Sequence, residues 1–213
     1  PNANTAQDQV SVGVAYNQNV SGIRSESNID FELFKSYKSS DIRKQAYILT
    51  TNYVQTPYNH VIKYRSREGS TVAGVVDIKM LRTADVLLGV AEAYMKSTAS
   101  KNPARALTLL NNLRKERYSN YVSGTEQGQA LLDAIYFERR LEMAFENDRF
   151  WTIKRLGQSV IRSDYGSAVD GGGTDVPTDA LKTLEAGNFR FVLPIPQSAI
   201  NLNPNLKQNP NYK

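Results

Sequence analysis

The stretch between residues 138 and 151 is the densest group of charged side chains in the chain, and its carboxylates could do acid–base chemistry. Glu138, Glu142 and Glu146 follow one another at four-residue steps, so they share one face of a predicted helix. A hydrolytic site would need two carboxyl groups in contrasting environments, about 5 to 9.5 Å apart across a cleft. Adjacent arginines would instead keep both carboxylates ionised, which favours a structural ion-pair network. Its expected members are Glu138, Arg139, Glu142, Glu146 and Arg149.

The other patterns that could bind a metal or a phosphate group are weak. Asp170, Asp175 and Asp179 lie around a run of three glycines, but their spacing does not fit a calcium loop in which alternate residues provide carboxylates. The same glycines follow no recognisable buried strand, and no Gly-Lys-Ser or Gly-Lys-Thr is nearby, so they do not predict a phosphate-binding loop. His60 lies in a predicted strand without a nucleophile as partner. We therefore expect no catalytic residue, no metal and no cofactor.

The composition excludes several classes of function. The 213 residues include no cysteine and one histidine, which excludes disulfide frameworks, thiol nucleophiles and thiolate zinc sites. The 26 basic and 21 acidic residues leave a net charge of +5 that is spread along the chain, which argues against a nucleic-acid-binding protein. No apolar run approaches the ~18 residues of a membrane span. The chain begins without an initiator methionine or a signal-peptide pattern, and we expect it to be part of a longer protein.

The aromatic residues are mostly tyrosines, which number 12, and several fall in or beside predicted loops. A tyrosine ring in a loop can stack on the face of a sugar, although packing at the surface is the commoner use. If the chain binds a glycan, its candidate contacts are Tyr53, Tyr58 and Tyr121.

The elements that must position these side chains are mainly helices. Apolar residues at three- and four-residue steps predict a helix over about 79–96 and a second that begins with Asn102 as N-cap and Pro103 in its first turn. The short connection between them predicts an antiparallel helical hairpin. A third helix is expected over about 129–145, and a shorter fourth helix follows Asn147-Asp148 until Gly157 ends it.

The remaining chain predicts little regular structure. Residues 1–40 show no sustained periodicity, whereas 45–54 and 60–66 read as two strands joined by a turn over 55–59. The proline- and asparagine-rich end is expected to pack across the helices through four anchors: Ile195, Leu202, Leu206 and Tyr212. The predicted fold is mainly α, with helical hairpins, long irregular loops and a short β-hairpin. It divides into 1–78 (irregular, with the hairpin and ligand-side loops), 79–157 (helical-hairpin core) and 158–213 (loop and C-terminal segment).

Four motifs also occur in a fixed order along the chain. They are Asp41-Ile42-Arg43; Leu81 to Leu88 with Ala91-Glu92-Ala93; Glu138 to Gly157, including Arg149-Phe150-Trp151 and Arg155; and Pro194-Ile195-Pro196 with Asn203-Pro204, Leu206, Gln208-Asn209-Pro210 and Tyr212. In order and spacing they resemble the C-terminal half of the SusD/RagB family. Three positions depart from the family pattern. Asp85 and Ala199 stand where glutamate is usual, and Asn147 stands where glycine is common and can replace it in a left-handed conformation.

The resemblance implies a fold of tetratricopeptide-like helical hairpins and a non-enzymatic role in polysaccharide utilization. It implies a surface-exposed outer-membrane lipoprotein that binds an oligosaccharide or other nutrient for a SusC-like TonB-dependent transporter. Family members are typically more than twice this length. An N-terminal half, with the lipidated cysteine through which the protein would meet the membrane, is therefore expected to be missing from this chain.

Two other functions stay open. A helical-repeat scaffold that binds proteins and no small molecule would use the same stacked helices. Glycoside hydrolysis is less favoured, because no unpaired pair of carboxylates is evident in the sequence.

Overall fold

A helical hairpin and a third helix form the main layer of the protein. The structure is a computed structural model and describes residues 29–53, 56–64, 79–162 and 182–212. The described helices are α1 (Phe31–Ser36), α2 (Ile42–Tyr47), α3 (Thr83–Lys96), α4 (Pro103–Lys115), α5 (Gly128–Glu142), α6 (Asp148–Leu156) and α7 (Gln197–Leu202). Two antiparallel strand pairs accompany them: β1 (Ile48–Tyr53) with β2 (Thr56–Val61), and β3 (Val160–Ile161) with β4 (Thr183–Leu184). The mainly α fold with a short β-hairpin is confirmed.

The helical layer is built from the apolar stripes of α3, α4 and α5, which all pack on one another. As predicted, Asn102 caps α4 by accepting a hydrogen bond from the backbone of Arg105 (3.0 Å), with Pro103 in the first turn. The buried residues of this first cluster are Ala84, Leu88, Ala91, Met95, Ala106, Leu110, Leu113, Leu131 and Ile135. None of the described helices is both long and apolar enough to cross a bilayer.

A second cluster joins the β-hairpin to the end of α5. Its buried members are Ile29, Tyr37, Tyr47, Ile48, Val61, Tyr64 and Leu141. Because Leu141 belongs to α5, which also contributes Leu131 and Ile135 to the first cluster, this helix has both clusters along its length.

The hairpin is tighter than the sequence indicates. Thr56 already pairs with Tyr53, so only residues 54–55 connect the strands, and the predicted turn over 55–59 is wrong. Pro57 was the main signal for that turn. It is tolerated within β2 because this strand pairs with β1 alone among the described strands, and an edge strand can lack one N–H donor.

Two short helices occur where the sequence predicts none. α1 lies in the segment 1–40, which is predicted to be irregular, whereas α2 overlaps the start of the predicted strand 45–54, and β1 begins only at Ile48. α1 is capped by Asp30, whose Oδ1 accepts from the backbone of Leu33 (2.9 Å), and α2 is capped in the same way by Asp41. Each has six residues, fewer than two turns, which is too short for apolar periodicity to show. Residues 1–28 of the predicted irregular segment 1–40 lie outside the described residues.

Left-handed residues separate α5 from α6. α5 ends at Glu142, three residues earlier than predicted, and Phe145 (φ 69°) and Asn147 (φ 61°) follow in the left-handed region. The left-handed conformation expected for Asn147 is confirmed. α6 then covers Asp148–Leu156, and Gly157 (φ 61°) caps its C-terminal end, as predicted.

Side-chain amides order the C-terminal segment. Gln208 accepts a hydrogen bond from Ile195 N (2.8 Å) and donates one to Ile195 O (2.9 Å), while Asn209 donates to Leu193 O (2.7 Å). Tyr212 packs edge-on against Phe189, with ring centroids 5.0 Å apart. Leu202 is 87% exposed and Leu206 is also exposed, so the prediction that these two anchor the segment is wrong. Hydrogen bonds from the side-chain amides of Gln208 and Asn209 to the backbone order the segment, and burial of Leu202 and Leu206 does not. The three-domain division stays a prediction.

Candidate functional site

Arg43 lies at the centre of a buried group of charged side chains. Asp41, which caps α2, accepts from Arg43 Nε at Oδ1 (2.9 Å) and from Nη2 at Oδ2 (2.8 Å). The same guanidinium donates to Glu138 Oε1 (2.6 Å) and to Glu142 Oε2 (3.1 Å). All four residues are at most 2% exposed. The start of α2 is thus joined to the buried face of α5.

Three more arginines converge on the same two glutamates from other parts of the chain. Arg114 of α4 donates to Glu138 Oε2 (3.0 Å). Arg117, just after α4, binds both oxygens of Glu142, at 2.9 and 3.1 Å. Arg82, which precedes α3, donates to Glu142 Oε1 (2.5 Å). Each carboxylate therefore links at least two separate segments to α5.

The carbonyls at the C-terminal end of α5 and in the residues just after it are also bound by side chains from elsewhere. Lys63 forms an ion pair with Glu146 and donates to the carbonyls of Glu142 (3.0 Å) and Ala144 (2.9 Å). The hydroxyl groups of Tyr37 and Tyr64 donate to the carbonyls of Leu141 and Phe145, each at 2.8 Å. The last carbonyls of a helix lack partners within the helix, and here tyrosine and lysine side chains supply them.

This network contains equal numbers of carboxylates and cations. Burial and these charges together shift the pKa values of its members. The carboxylates of Asp41, Glu126, Glu138, Glu142 and Glu146 face the cations of Arg43, Lys63, Arg82, Arg114 and Arg117. Burial acts to raise the pKa of Glu142, but the hydrogen bond and charge of Arg117, with the charges of Arg43 and Arg82, outweigh it and lower the pKa to about 2. Burial lowers the pKa of Lys63 to about 8, against the opposing effect of Glu146.

This arrangement is suited to holding segments together and not to proton transfer. A general acid needs a carboxyl group whose pKa is raised towards neutrality, whereas that of Glu142 is depressed. Both Glu142 oxygens already accept from arginines. The carboxylate pair that could have indicated a hydrolase is therefore committed to internal contacts.

The structure divides the five residues predicted as one network. Glu138, Glu142 and Glu146 do share the buried side of α5 and its end. Arg139 is one residue round the helix from Glu138 and pairs with Asp148 (2.5 Å) and Asp85 (2.7 Å) instead. Arg149 is exposed, and no ion pair among the described residues includes it. Including Arg139 and Arg149 in this network is wrong. Arg139 points away from Glu138 because neighbours in sequence on a helix point about 100° apart, and Arg149 is exposed on the separate helix α6.

The basic members of the network were mostly missed from the sequence. Arg43 and Arg82 stand in the motifs that indicate the family. No sequence pattern marked Lys63, Arg114 or Arg117 as partners of the glutamates. Sequence reasoning on helices pairs residues three or four apart. Here the partners are separated by 24 residues for Arg114 and Glu138 and by 99 for Arg43 and Glu142.

The three candidate ligand contacts lie in two places. The strand register pairs Tyr53 with Thr56 and Thr51 with Tyr58, so the backbone positions of Tyr53 and Tyr58 are diagonal neighbours at the end of the hairpin. Tyr121 lies in the loop after α4, where its hydroxyl donates to Asn111 Oδ1 (2.7 Å) and accepts from Gly124 N (3.1 Å). Its ring stacks on that of Tyr118 at 6.0 Å. Tyr121 thus holds its own loop in place.

A separate polar cluster of Glu92, Tyr136 and Arg155 lies where α3, α5 and α6 meet. Glu92 binds the guanidinium of Arg155 through both oxygens (2.5 and 2.9 Å) and accepts from the hydroxyl of Tyr136 (3.0 Å). Burial acts to raise the pKa of Glu92, but the hydrogen bond to Arg155 outweighs it and lowers the pKa. Burial and the charge of Glu92 raise the pKa of Tyr136 to about 12. Near this cluster Trp151 is 58% exposed.

In the part of the chain that the structure describes, no group of three His, Asp or Glu side chains lies close enough to hold a metal ion. His60 is buried in β2, with its Nδ1 3.3 Å from Thr51 Oγ1. Asp170, Asp175 and Asp179 lie outside the described residues.

Solved structures with similar folds include three proteins from Bacteroides species. A SusD superfamily protein from Bacteroides thetaiotaomicron VPI-5482 is 23% identical, covers 94% of this chain and 44% of its own length, and has a TM-score of 0.72. A SusD-like carbohydrate binding protein from Bacteroides vulgatus ATCC 8482 is 25% identical, with coverages of 84% and 41% and a TM-score of 0.60. Surface glycan-binding protein A from Bacteroides uniformis is 18% identical, with coverages of 91% and 44% and a TM-score of 0.61. This chain spans less than half the length of each.

The sequence comparisons agree with the fold. No curated protein matches the chain. The family model described as the SusD family matches residues 7–212, nearly the entire sequence. The buried network also joins three of the four motifs on which the resemblance rests, through Arg43, Arg82 and Glu142. The chain therefore belongs to the SusD family.

Proposed function

We propose that this chain is part of a cell-surface protein that binds glycans as nutrients and catalyses no reaction. In this role it acts with a SusC-like TonB-dependent transporter at the outer membrane, to which a lipid anchor attaches the complete protein. The observation that carries the proposal is the match to the SusD family over residues 7–212. Two of the similar solved structures are described as a carbohydrate binding and a glycan-binding protein, which supports a glycan as the ligand.

The buried network supports a binding function over a catalytic one. Its glutamates are the carboxylate group whose spacing most resembles acid–base machinery, yet they face arginines in the interior. A retaining or inverting glycosidase needs two carboxyl groups open to the substrate. Glycan capture without turnover needs only exposed rings and hydrogen-bonding side chains.

Tyr53, Tyr58 and Tyr121 remain the proposed contacts from the sequence. Tyr53 and Tyr58 are close on the hairpin backbone, so one sugar chain could reach both. Tyr121 would contribute through its ring, because its hydroxyl already bonds to Asn111 and Gly124. Each stacking contact adds about 0.5 to 1.5 kcal/mol beyond the area it buries, so two or three give weak binding by this chain alone.

A glycan array tests the proposal if weak binding is amplified. The biotinylated chain is presented on streptavidin, since several linked copies raise the apparent affinity by about 10²- to 10⁴-fold. We expect a subset of glycans to be bound, and the same glycans to be recovered intact after long incubation. Truncating Tyr58 to alanine is expected to weaken that binding.

The outcomes separate the alternatives. Recovery of shortened glycans would overturn the non-catalytic assignment. If no glycan on a broad array is bound while circular dichroism confirms that the chain is folded, glycan binding is overturned. That result would favour a scaffold that binds proteins.

A further inference from the structure

The loop between α4 and α5 is held near both of its ends by the buried charged network. Near its start, the Tyr118 hydroxyl accepts a hydrogen bond from Arg43 Nη2 (2.9 Å) and lies 3.3 Å from both oxygens of Glu138. Near its end, Glu126 forms an ion pair with Arg114 (2.7 Å), which also binds Glu138. The two ends of this α4–α5 loop are therefore fixed to the interior of the protein.

Asn111 on α4 fixes the middle of the same loop. Its Oδ1 accepts hydrogen bonds from the Tyr121 hydroxyl (2.7 Å) and from Gly124 N (3.0 Å), and its Nδ2 donates to Gly124 O (3.1 Å). Gly124 N also donates to the Tyr121 hydroxyl (3.1 Å). One amide side chain thus binds both backbone groups of Gly124 and the far end of the Tyr121 side chain.

These contacts fix the direction of the Tyr121 ring. The ring stacks on that of Tyr118, with centroids 6.0 Å apart, while Asn111 holds the hydroxyl at its far end. The Tyr121 side chain is only half-buried, so part of the ring can be reached from solvent. Ordering a side chain on binding costs free energy, and a ring that is already fixed avoids that cost.

We propose that Asn111 is a positioning residue of the glycan site, which presents the Tyr121 ring for stacking on a sugar. This rests on the proposed glycan-binding function and on Tyr121 as one of its contacts. Both polar atoms of the Asn111 side chain are engaged within the loop, so Asn111 acts through Tyr121 and not on the sugar itself. Removing its amide should therefore weaken binding only while the Tyr121 ring is present.

A double-mutant cycle tests this dependence. The probe is an array of gluco-, manno-, xylo- and galacto-oligosaccharides, on which the biotinylated chain and its variants are compared as dilution series on streptavidin. Asn111→Ala is expected to weaken binding by about 2- to 12-fold, because one more side chain must be ordered. Tyr121→Ala is expected to weaken it by at least about 2-fold. The double variant should bind as Tyr121→Ala alone does, whereas a general structural role of Asn111 would weaken binding further.

Two further variants make the comparison specific. Tyr121→Phe keeps the ring and removes the hydroxyl that Asn111 holds, so it should weaken binding in the same direction as Asn111→Ala. Asn112→Ala is the control, because Asn112 is the next residue of α4, is exposed and has no side-chain hydrogen bond among the described residues. It should bind as the unaltered chain does. Amide exchange at Gly124, measured by NMR, should accelerate in Asn111→Ala and stay unchanged in Asn112→Ala.

The results distinguish this inference from the proposed function. Array binding that Asn111→Ala leaves unchanged, or weakens equally with and without the Tyr121 ring, would overturn the positioning role and leave glycan binding intact. Binding that is insensitive to Tyr121→Ala would do the same. If Asn111→Ala does not fold, Tyr121→Phe decides, and unchanged binding in that variant would overturn the role. If the folded, unaltered chain binds no glycan, the proposed function and this inference are both overturned.

Discussion

Glu142 is the residue on which most of the buried charge contacts meet. Arg43, Arg82 and Arg117 all bind its carboxylate, and its side chain is fully buried. A buried ion pair adds little net stability compared with apolar residues of the same shape, because both charges lose their hydration. Removing one partner is different, since it leaves opposite charges buried without compensation.

We predict that Glu142→Gln lowers the free energy of unfolding by about 3 to 5 kcal/mol, because three arginines would lose their shared counter-charge. Urea denaturation followed by circular dichroism measures the change. Glu116→Gln is the matched control, since Glu116 is exposed and its side chain takes part in no ion pair among the described residues. A loss of less than ~1 kcal/mol in Glu142→Gln would contradict the structural role of the network.

The same carboxylate predicts a pH dependence. In the folded protein the pKa of Glu142 is about 2, against an ordinary value of 4.5, so between these values the unfolded chain binds more protons. The stability that ionised Glu142 contributes is complete above pH 4.5 and is lost as the pH falls towards 2. The difference in unfolding free energy between the unaltered chain and Glu142→Gln should shrink by about 3 kcal/mol over that window. Denaturant titrations at stepped pH check this, and a difference that stays constant would exclude it.

At the scale of elements, the end of α5 depends on side chains that are remote in sequence. Tyr37 lies 104 residues from Leu141, whose carbonyl it binds. We predict that Tyr37→Phe destabilises the protein by about 1 to 3 kcal/mol, because a buried carbonyl loses its donor while the ring still fills its site. Thermal and urea unfolding measure the loss. Tyr94→Phe is the control, since no hydrogen bond of the Tyr94 hydroxyl is found among the described residues; an equal effect there would refute the argument.

The C-terminal segment is expected to depend on Gln208 in the same way. Gln208→Ala removes both hydrogen bonds to Ile195, so amide exchange at Ile195 should accelerate while that in α4 stays unchanged. Hydrogen exchange measured by NMR reports both regions. Gln158→Ala, an exposed position just after α6, serves as the control. Unchanged exchange at Ile195 in Gln208→Ala would mean that other contacts order the segment.

For the whole molecule, α5 and the network connect the two apolar clusters. We therefore predict one cooperative unfolding transition for the described core, despite the division at residue 79 that the sequence suggests. Leu110→Ala in the first cluster should destabilise by about 2 to 5 kcal/mol and Val61→Ala in the second by about 2 kcal/mol. Both should shift the same transition when circular dichroism and tyrosine fluorescence are compared. Two separated transitions, each sensitive to one substitution, would favour independent domains.

The amino-acid sequence determined those features that depend on residues close together in the chain. The apolar stripe of α4, its cap Asn102 and the left-handed Asn147 were predictable because each follows from local geometry and near neighbours. The family was predictable because its motifs keep their order along the chain. The six-residue α1 and α2 were not, since each has fewer than two turns, which is too short for an apolar period to show.

Only the tertiary structure decided which charges meet. Lys63, Arg114 and Arg117 have nothing in their own sequence surroundings that marks them as partners of Glu146, Glu138 and Glu142. It also decided that Trp151 stays exposed, although its neighbours Thr152 and Ile153 are buried. Side-chain direction on a helix is local, but burial and ion pairing depend on which remote segments pack against that direction. That information appears only when the chain is folded.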